Sequence, residues 1–211
     1  MKITKFGHCC LLLEVEGMRL LTDPGSFTTA QNVLKDVDAI LITHEHADHY
    51  HLESLKQVIE NNPQAAIITN GSVGKLLEAE EIVYTRVGDG EQANIGRVKI
   101  EGFGREHAPI YDTMGLVENA GYMIADKFYF PGDNFHNPGQ PVDILALPVA
   151  GPWMKMSEAI DFAKEIKART AFGVHDGMIV PSFRAFVGAA LKLFAPGTEY
   201  FALADGEARE F

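Results

Sequence analysis

An apolar segment that runs directly into a cluster of histidines constrains this chain more than any other feature. Residues 39–43 form a short apolar run of the kind found in strands that are buried on both faces. The next six residues read His-Glu-His-Ala-Asp-His. Because alternate residues of a loop can point the same way, His44 and His46 can bind one metal ion. A tight turn can then direct Asp48 and His49 toward a second ion, and imidazole and carboxylate are typical ligands of zinc, iron and manganese.

Length and charge narrow the classes of protein that this chain can belong to. The 211 residues, 46% of them hydrophobic, suit a single domain that spans residues 1–211. The formal net charge is -11 and no run of Lys or Arg is present, which argues against a nucleic-acid partner because an acidic chain repels phosphate backbones. The apolar runs are shorter than a membrane span and the N-terminus lacks a signal-peptide pattern, so we expect no membrane partner and a cytoplasmic location.

Strand-like segments occur in both halves of the chain, and helix-like segments follow them in each half. The residue patterns predict strands at Lys2–Phe6, Cys10–Val15, Met18–Thr22, Ala39–Thr43, Ala66–Thr69, Ile82–Val87, Val98–Phe103, Gly121–Ala125, Lys127–Phe130 and Asp143–Pro148. Helices are predicted from Leu52 to just before Pro63, over Ser72–Ala79, after a cap at Ser157 and after a cap at Ser182. This order favours an α/β fold of two packed sheets with helices outside them.

The spacing His-x-His-x-Asp-His resembles the signature of the metallo-beta-lactamase fold superfamily. The resemblance implies a four-layer αβ/βα sandwich and further metal ligands later in the chain. His107 is similar to the third histidine of the first metal site, Asp133 to the aspartate that bridges both ions, and His175 to the last histidine of the second site. Asp23 is similar to an early aspartate that supports the histidine loop from behind.

Residues 6–14, Phe-Gly-His-Cys-Cys-Leu-Leu-Leu-Glu, are similar to the start of one branch of that superfamily. The branch includes ascorbate-6-phosphate lactonases, related bacterial and archaeal hydrolases and, more distantly, N-acyl-phosphatidylethanolamine phospholipases. The resemblance to this branch implies that His8 lies near the metal centre. His8 then either contacts a metal ligand or the substrate, or it only forms a hydrogen bond within its strand, and both roles stay open. The chain departs from the branch at Asp176. Trp153 is either a pocket wall or core, and we expect His136 to face the cleft.

The resemblance implies two divalent cations, Zn²⁺ first and Mn²⁺ or Fe²⁺ as alternatives. Two such ions can share a hydroxide, because metal binding brings the pKa of water to about 7. We therefore predict a metal-dependent hydrolase that cleaves an ester, lactone or phosphodiester bond of a small-molecule substrate, with Asp48 as the residue that orients the nucleophile. An iron-dependent oxidoreductase of the same fold, similar to persulfide dioxygenases, and a non-catalytic metal-binding protein are the alternatives. The sequence leaves the oligomeric state open, a homo-oligomer included.

Overall fold

Two seven-stranded mixed sheets face each other in the computed structural model, which describes residues 1–211. The strands of the first sheet are β1 (Lys2–Gly7), β2 (Cys10–Val15), β3 (Met18–Thr22), β4 (Ala39–Ile42), β5 (Ala66–Thr69), β6 (Thr85–Arg86) and β14 (Ala208–Glu210). Those of the second sheet are β7 (Gln92–Ile95), β8 (Val98–Phe103), β9 (Gly121–Ile124), β10 (Phe128–Phe130), β11 (Ile144–Pro148), β12 (Thr170–Val174) and β13 (Glu199–Phe201). Their orders are β14-β1-β2-β3-β4-β5-β6 and β13-β12-β11-β10-β9-β8-β7.

Four α-helices and a short 3-10 helix accompany the sheets. The α-helices are α1 (Leu52–Asn61), α2 (Gly71–Ala79), α3 (Met156–Ile166) and α4 (Pro181–Phe194), and the 3-10 helix covers Ala30–Val33. Buried residues of α1 and α2 pack with the first sheet, and those of α3 and α4 pack with the second sheet. The predicted four-layer αβ/βα sandwich is therefore confirmed. None of these helices combines the length and the apolar character that crossing a bilayer demands.

The central strand β4 shows why its sequence is apolar throughout. Leu41 belongs to the core between the two sheets, whereas Ile40 and Ile42 belong to the core beneath α1 and α2. Successive side chains of a strand point to opposite faces, so a strand covered on both sides needs apolar residues at every position. The loop that follows β4 therefore starts from a strand that is fixed on both faces.

Several element boundaries differ from the sequence predictions, and those of β6, α3 and α4 have a clear physical reason. The strand predicted at Ile82–Val87 is limited to Thr85–Arg86, because β6 lies at the sheet edge and pairs with β5 at only two positions. α3 begins one residue before Ser157, and the Glu158 side chain accepts a hydrogen bond from the backbone of the residue preceding the helix. α4 begins at Pro181, whose fixed φ angle suits the first helical position, and not after a Ser182 cap.

A buried ion pair joins the first strand to the far end of the second sheet. Lys5 in β1 has no exposed side-chain surface, and its Nζ lies 2.7 Å from Oδ1 of Asp176. The same Nζ donates to the carbonyl oxygen of Gly173 at 3.0 Å. Because both partners are withdrawn from water, each depends on the other for its stability in the folded protein.

Replacing Lys5 with Met should lower the free energy of unfolding by about 3 kcal/mol or more, because it leaves the buried carboxylate of Asp176 without its main partner. Lys2 provides a matched control on the same strand: its Nζ also lies 2.7 Å from a carboxylate, that of Glu14, but its side chain is 42% exposed. Lys2→Met should cost less than about 1 kcal/mol. Chemical denaturation measures both, and equal losses would contradict this explanation.

Candidate metal centre

Every candidate ligand follows the end of a strand. β3 and β4 are parallel, so Asp23 and the loop of residues 44–49 leave the first sheet at one edge. In the second sheet, β8 and β10 are both antiparallel to β9, and β10, β11 and β12 are parallel. β8, β10 and β12 therefore run in the same direction, and the residues that follow them come to one edge. These residues are His107, Asp133 and His175.

The structure brings the candidate ligands together in two groups. The ligand atoms of His44, His46 and His107 all lie within 4.8 Å of one another. A second set with the same spacing contains Asp48, His49 and His175, with His8 beside them. Each set combines a part of the 44–49 loop with one histidine from the second sheet, so that neither sheet alone completes either group.

Asp133 lies between the two groups. Its Oδ2 is 3.2 Å from Nε2 of His107 and 2.8 Å from Nε2 of His175, while its Oδ1 is 3.2 Å from Nε2 of His49. Burial alone would raise the pKa of Asp133, but His49 and His175 hold that pKa well below its usual range. An ionised carboxylate therefore faces histidines of both groups.

Thr43 and Asp23 fix the proton of His44. The Thr43 hydroxyl donates to Oδ2 of Asp23 at 2.8 Å, and Oγ1 of Thr43 is 3.0 Å from Nδ1 of His44. Because the hydroxyl proton is already used, Nδ1 of His44 carries the hydrogen and donates to Thr43. Nε2 of His44 then presents a lone pair, and burial holds the pKa of His44 well below its usual value, which favours the neutral ring.

The same logic applies to His49 and His107. Nδ1 of His49 donates to Oδ2 of Asp23 at 2.7 Å, and Nδ1 of His107 donates to the carbonyl oxygen of Ala108. In the neutral rings, both Nε2 atoms are acceptors that face the acceptor oxygens of Asp133. Burial lowers the pKa of His49, but Asp133 and Asp23 outweigh it and raise this pKa well above its usual value. The site thus favours positive charge where these acceptors converge.

Five of the ten buried side-chain atoms without a hydrogen-bond partner belong to this site. They are Nε2 of His44, Nε2 of His49, Oδ1 of Asp133 and both ring nitrogens of His175. Buried polar groups are rarely left unpaired, and each such case calls for an explanation such as an ion. Imidazole nitrogens and carboxylate oxygens that converge in this way fit divalent cations such as zinc. The ligand role of these residues stays a prediction that this geometry supports.

His8 lies behind Asp48. The backbone N–H of Gly177 donates to Nδ1 of His8 at 3.1 Å, so Nε2 carries the hydrogen of the neutral ring. Nε2 is 3.0 Å from Oδ2 of Asp48 and donates to it. Burial lowers the pKa of His8 to about 4, which keeps the ring neutral at pH 7. His8 therefore orients Asp48.

The backbone is strained where it holds the site. His8, Asp23 and His175 have φ angles of 53°, 36° and 57°, a region that residues other than glycine rarely adopt. Gly25 follows Asp23, and a Cβ atom at Gly25 would lie 1.8 Å from the carbonyl oxygen of Asp48. Only glycine permits the turn after β3 to approach the 44–49 loop this closely.

The remaining candidates divide into one that adjoins the centre and two that do not. Trp153 is buried, and its ring centroid lies 5.9 Å from those of both His107 and His175. His136 is exposed and lies in neither group of ligand atoms. Asp176 is buried, and its carboxylate is occupied by Lys5 and by Arg184 at 3.2 Å. Asp176 thus stabilises the segment after His175.

Sequence reasoning missed two supporting residues. Thr43 is a polar residue between an apolar strand and His44, and this position was a signal that could have identified it. Asn119 has no such signal, because it is distant in sequence from the residues that it supports. Its Oδ1 accepts a hydrogen bond from the backbone of Asp133 at 3.0 Å, and its Nδ2 donates to Pro131 at 2.9 Å.

Thr43→Val should weaken zinc binding by about 10–100-fold, because it removes the hydroxyl that orients His44 and bonds to Asp23 while it keeps the side-chain shape. Competition against a chromophoric chelator measures this affinity. Thr69 is the matched control: its hydroxyl is also buried and donates to the carbonyl oxygen of Ile42 at 2.8 Å, on the strand beside β4. Thr69→Val should leave zinc affinity unchanged. An equal loss in both variants would show that Thr43 acts through general stability.

Comparisons with known proteins identify relatives that cover most of this chain. Protein Rv0786c of Mycobacterium tuberculosis is 34% identical over 190 residues, which cover 87% of this chain and 88% of that protein. A UPF0173 metal-dependent hydrolase of Carboxydothermus hydrogenoformans is 24% identical over 225 residues, with 93% and 98% covered.

A solved structure shows the same fold. Igni18, a metallo hydrolase from the hyperthermophilic archaeon Ignicoccus hospitalis, matches with a TM-score of 0.76 and 20% identity, and the match covers 100% of this chain and 98% of that one. A family model described as the beta-lactamase superfamily domain matches residues 2–175. The match spans both sheets and all seven candidate ligands, and the chain belongs to the beta-lactamase superfamily.

Proposed function

We propose that the protein is a metal-dependent hydrolase that uses two divalent cations to cleave an ester, lactone or phosphodiester bond of a small molecule. The convergence of acceptor atoms on Asp133 carries this proposal. Its carboxylate faces His107 from one group and His49 and His175 from the other. One cation held by each group would satisfy acceptors that otherwise oppose each other. The named activity of the Carboxydothermus relative supports the same reaction class.

The donor set favours zinc. Five imidazoles and two carboxylates are ligands of intermediate hardness, which suit zinc better than magnesium or calcium. His44, His46 and His107 would hold the first ion, and Asp48, His49 and His175 the second, as the proximity of their ligand atoms indicates. Cys9 lies near His49 and Asp133, but its side chain belongs to the hydrophobic core between the two sheets, so we assign it no ligand role.

The chemistry of hydrolysis depends on both the cations and the side chains around them. Bound divalent cations supply a nucleophile from water at neutral pH and stabilise negative charge that develops on the substrate. Oδ2 of Asp48 accepts a hydrogen bond from His8 and also lies 3.4 Å from Nε2 of His175. This carboxylate is therefore held beside the second group, where it would orient an attacking water. The Asp48 side chain is 20% exposed, whereas that of Asp133 is 3% exposed. The site therefore opens toward solvent and substrate on the side of Asp48.

The metal content and a substrate panel test the proposal together. We expect elemental analysis of the protein loaded with zinc or manganese to give two ions per chain. The loaded protein should hydrolyse at least one class among p-nitrophenyl esters, lactones and bis-p-nitrophenyl phosphate. A single bound iron with no second metal would contradict the proposal and favour an oxidoreductase. Two bound metals without turnover of any class would favour a non-catalytic metal-binding protein.

His107→Ala should reduce kcat/KM at least about 100-fold and lower the metal content toward one ion per chain, because it removes a ligand of the first group. His136→Ala is the matched control, since His136 is an exposed histidine outside both groups. It should keep both the activity and the metal content of the wild type. Equal losses in the two variants would contradict the assignment of the first group.

A further inference from the structure

An apolar groove lies beside the metal centre, between the loop after β11 and the loop after β12. Its cavity volume is about 570 Å³, within the range of small-molecule sites. We call this cavity the apolar groove. Most of its wall is apolar side chains: Val149, Met154, Met156, Met178, Ile179 and Phe183.

The apolar groove adjoins the segment that carries His175. β11 and β12 are parallel, so the loops that form the groove leave the sheet at the edge that also carries His175. Met178 follows His175 by three positions, and Val149 donates from its backbone to the carbonyl oxygen of Val174 at 3.1 Å. An occupant of the groove therefore lies next to the last ligand of the second group.

Trp153 lies between the metal centre and the residues Gly151, Pro152 and Met154 that line the apolar groove. One side of its indole packs edge-on against the rings of His107 and His175. Gly151 lines the groove, and a Cβ atom at Gly151 would lie 2.8 Å from Nε1 of Trp153. The indole is thus within contact distance of both compartments, and its side chain is the only one of its type in the chain.

The chemistry of the lining selects the occupant. No charged side chain lines the groove, which excludes recognition of an ionic group there. Met154, Met156 and Met178 are unbranched and flexible, and such side chains adapt to occupants of different length. Met178 is 47% exposed and Phe183 is 39% exposed, so a chain can enter from solvent without prior opening of the core.

We propose that the apolar groove binds an unbranched aliphatic chain on the acyl side of an ester substrate while the metal centre binds the ester group. This inference rests on the proposed function and narrows its substrate class. Hydrolysis forms a bond between a water oxygen and the acyl carbon, and it breaks the bond from that carbon to the alkoxy oxygen. The products are a carboxylate, a proton and an alcohol. Each further methylene that enters the groove strengthens binding about fourfold.

Binding of straight-chain alkylphosphonates to the zinc-loaded protein tests the groove without turnover. Fluorescence of Trp153 reports binding directly, because it is the only tryptophan. From butyl- to octylphosphonate, we expect Kd to fall about fourfold per methylene. The double variant Met178→Gln/Phe183→Gln should lose this dependence and keep the wild-type affinity for methylphosphonate. Leu193→Gln on the same helix as Phe183 is the matched control, since Leu193 is 70% exposed and outside the groove.

Two binding results would overturn the inference. The first is a Kd that does not depend on chain length in the wild type. The second is that the wild type is a dimer that binds no long-chain phosphonate, whereas the double variant is a monomer. A second copy of the chain would then be the occupant of the groove. Analytical ultracentrifugation of each variant separates a dimer from a monomer.

Hydrolysis of p-nitrophenyl esters from acetate to octanoate separates the inference from the proposed function. We expect kcat/KM to rise about fourfold per methylene in the wild type, as in binding. Hydrolysis that is independent of chain length would overturn the groove as a substrate site and leave the hydrolase proposal standing. A chain-length dependence of phosphonate binding without hydrolysis of any ester would support the groove and overturn ester hydrolysis.

Discussion

The arrangement of this site depends on a buried carboxylate that faces imidazole acceptors from two sides. Asp133 lies between histidines of both groups, with its side chain only 3% exposed. An anion that is withdrawn from water needs compensating positive charge, and the neighbouring lone pairs do not supply it. The two sheets therefore meet at a place that favours cations, and much of the surrounding structure serves to hold the acceptors there.

The supporting residues act by fixing protons and backbone angles. Asp23 accepts hydrogen bonds from Thr43 and His49, and in doing so it leaves the outward ring nitrogens free to act as ligands. Such partners behind a ligand set its tautomer and orientation. Lys5 stabilises the opposite side through Asp176, next to the strained His175. The buried ion pair thus contributes both to the junction between the sheets and to the position of a ligand.

The metal centre, where the proposed hydrolysis takes place, and the apolar groove, where the aliphatic chain is proposed to bind, lie at the same edge of the second sheet. The candidate ligands come from strand ends of both sheets, whereas the apolar groove is formed by the loops after β11 and β12 and by the first turns of α3 and α4. Trp153 separates the two compartments and contacts both. None of the residues that line the groove is a candidate ligand, although His175 lies just before one of the groove loops. The lining residues can therefore differ among relatives while the reaction class is retained.

The sequence by itself determined most of the local elements, and it indicated a donor set. Apolar periodicity located β4 and the cores of the helices but not β7, β12, β13 and β14. The spacing of residues 44–49 predicted four ligands, and the resemblance to the superfamily predicted the three later ones. The tertiary structure alone decided which acceptors face one another, that Asp176 pairs with Lys5, and that His136 stays at the surface. These features join residues more than one hundred positions apart or depend on side-chain direction. Sequence patterns report local periodicity, whereas such contacts follow from how the two sheets pack.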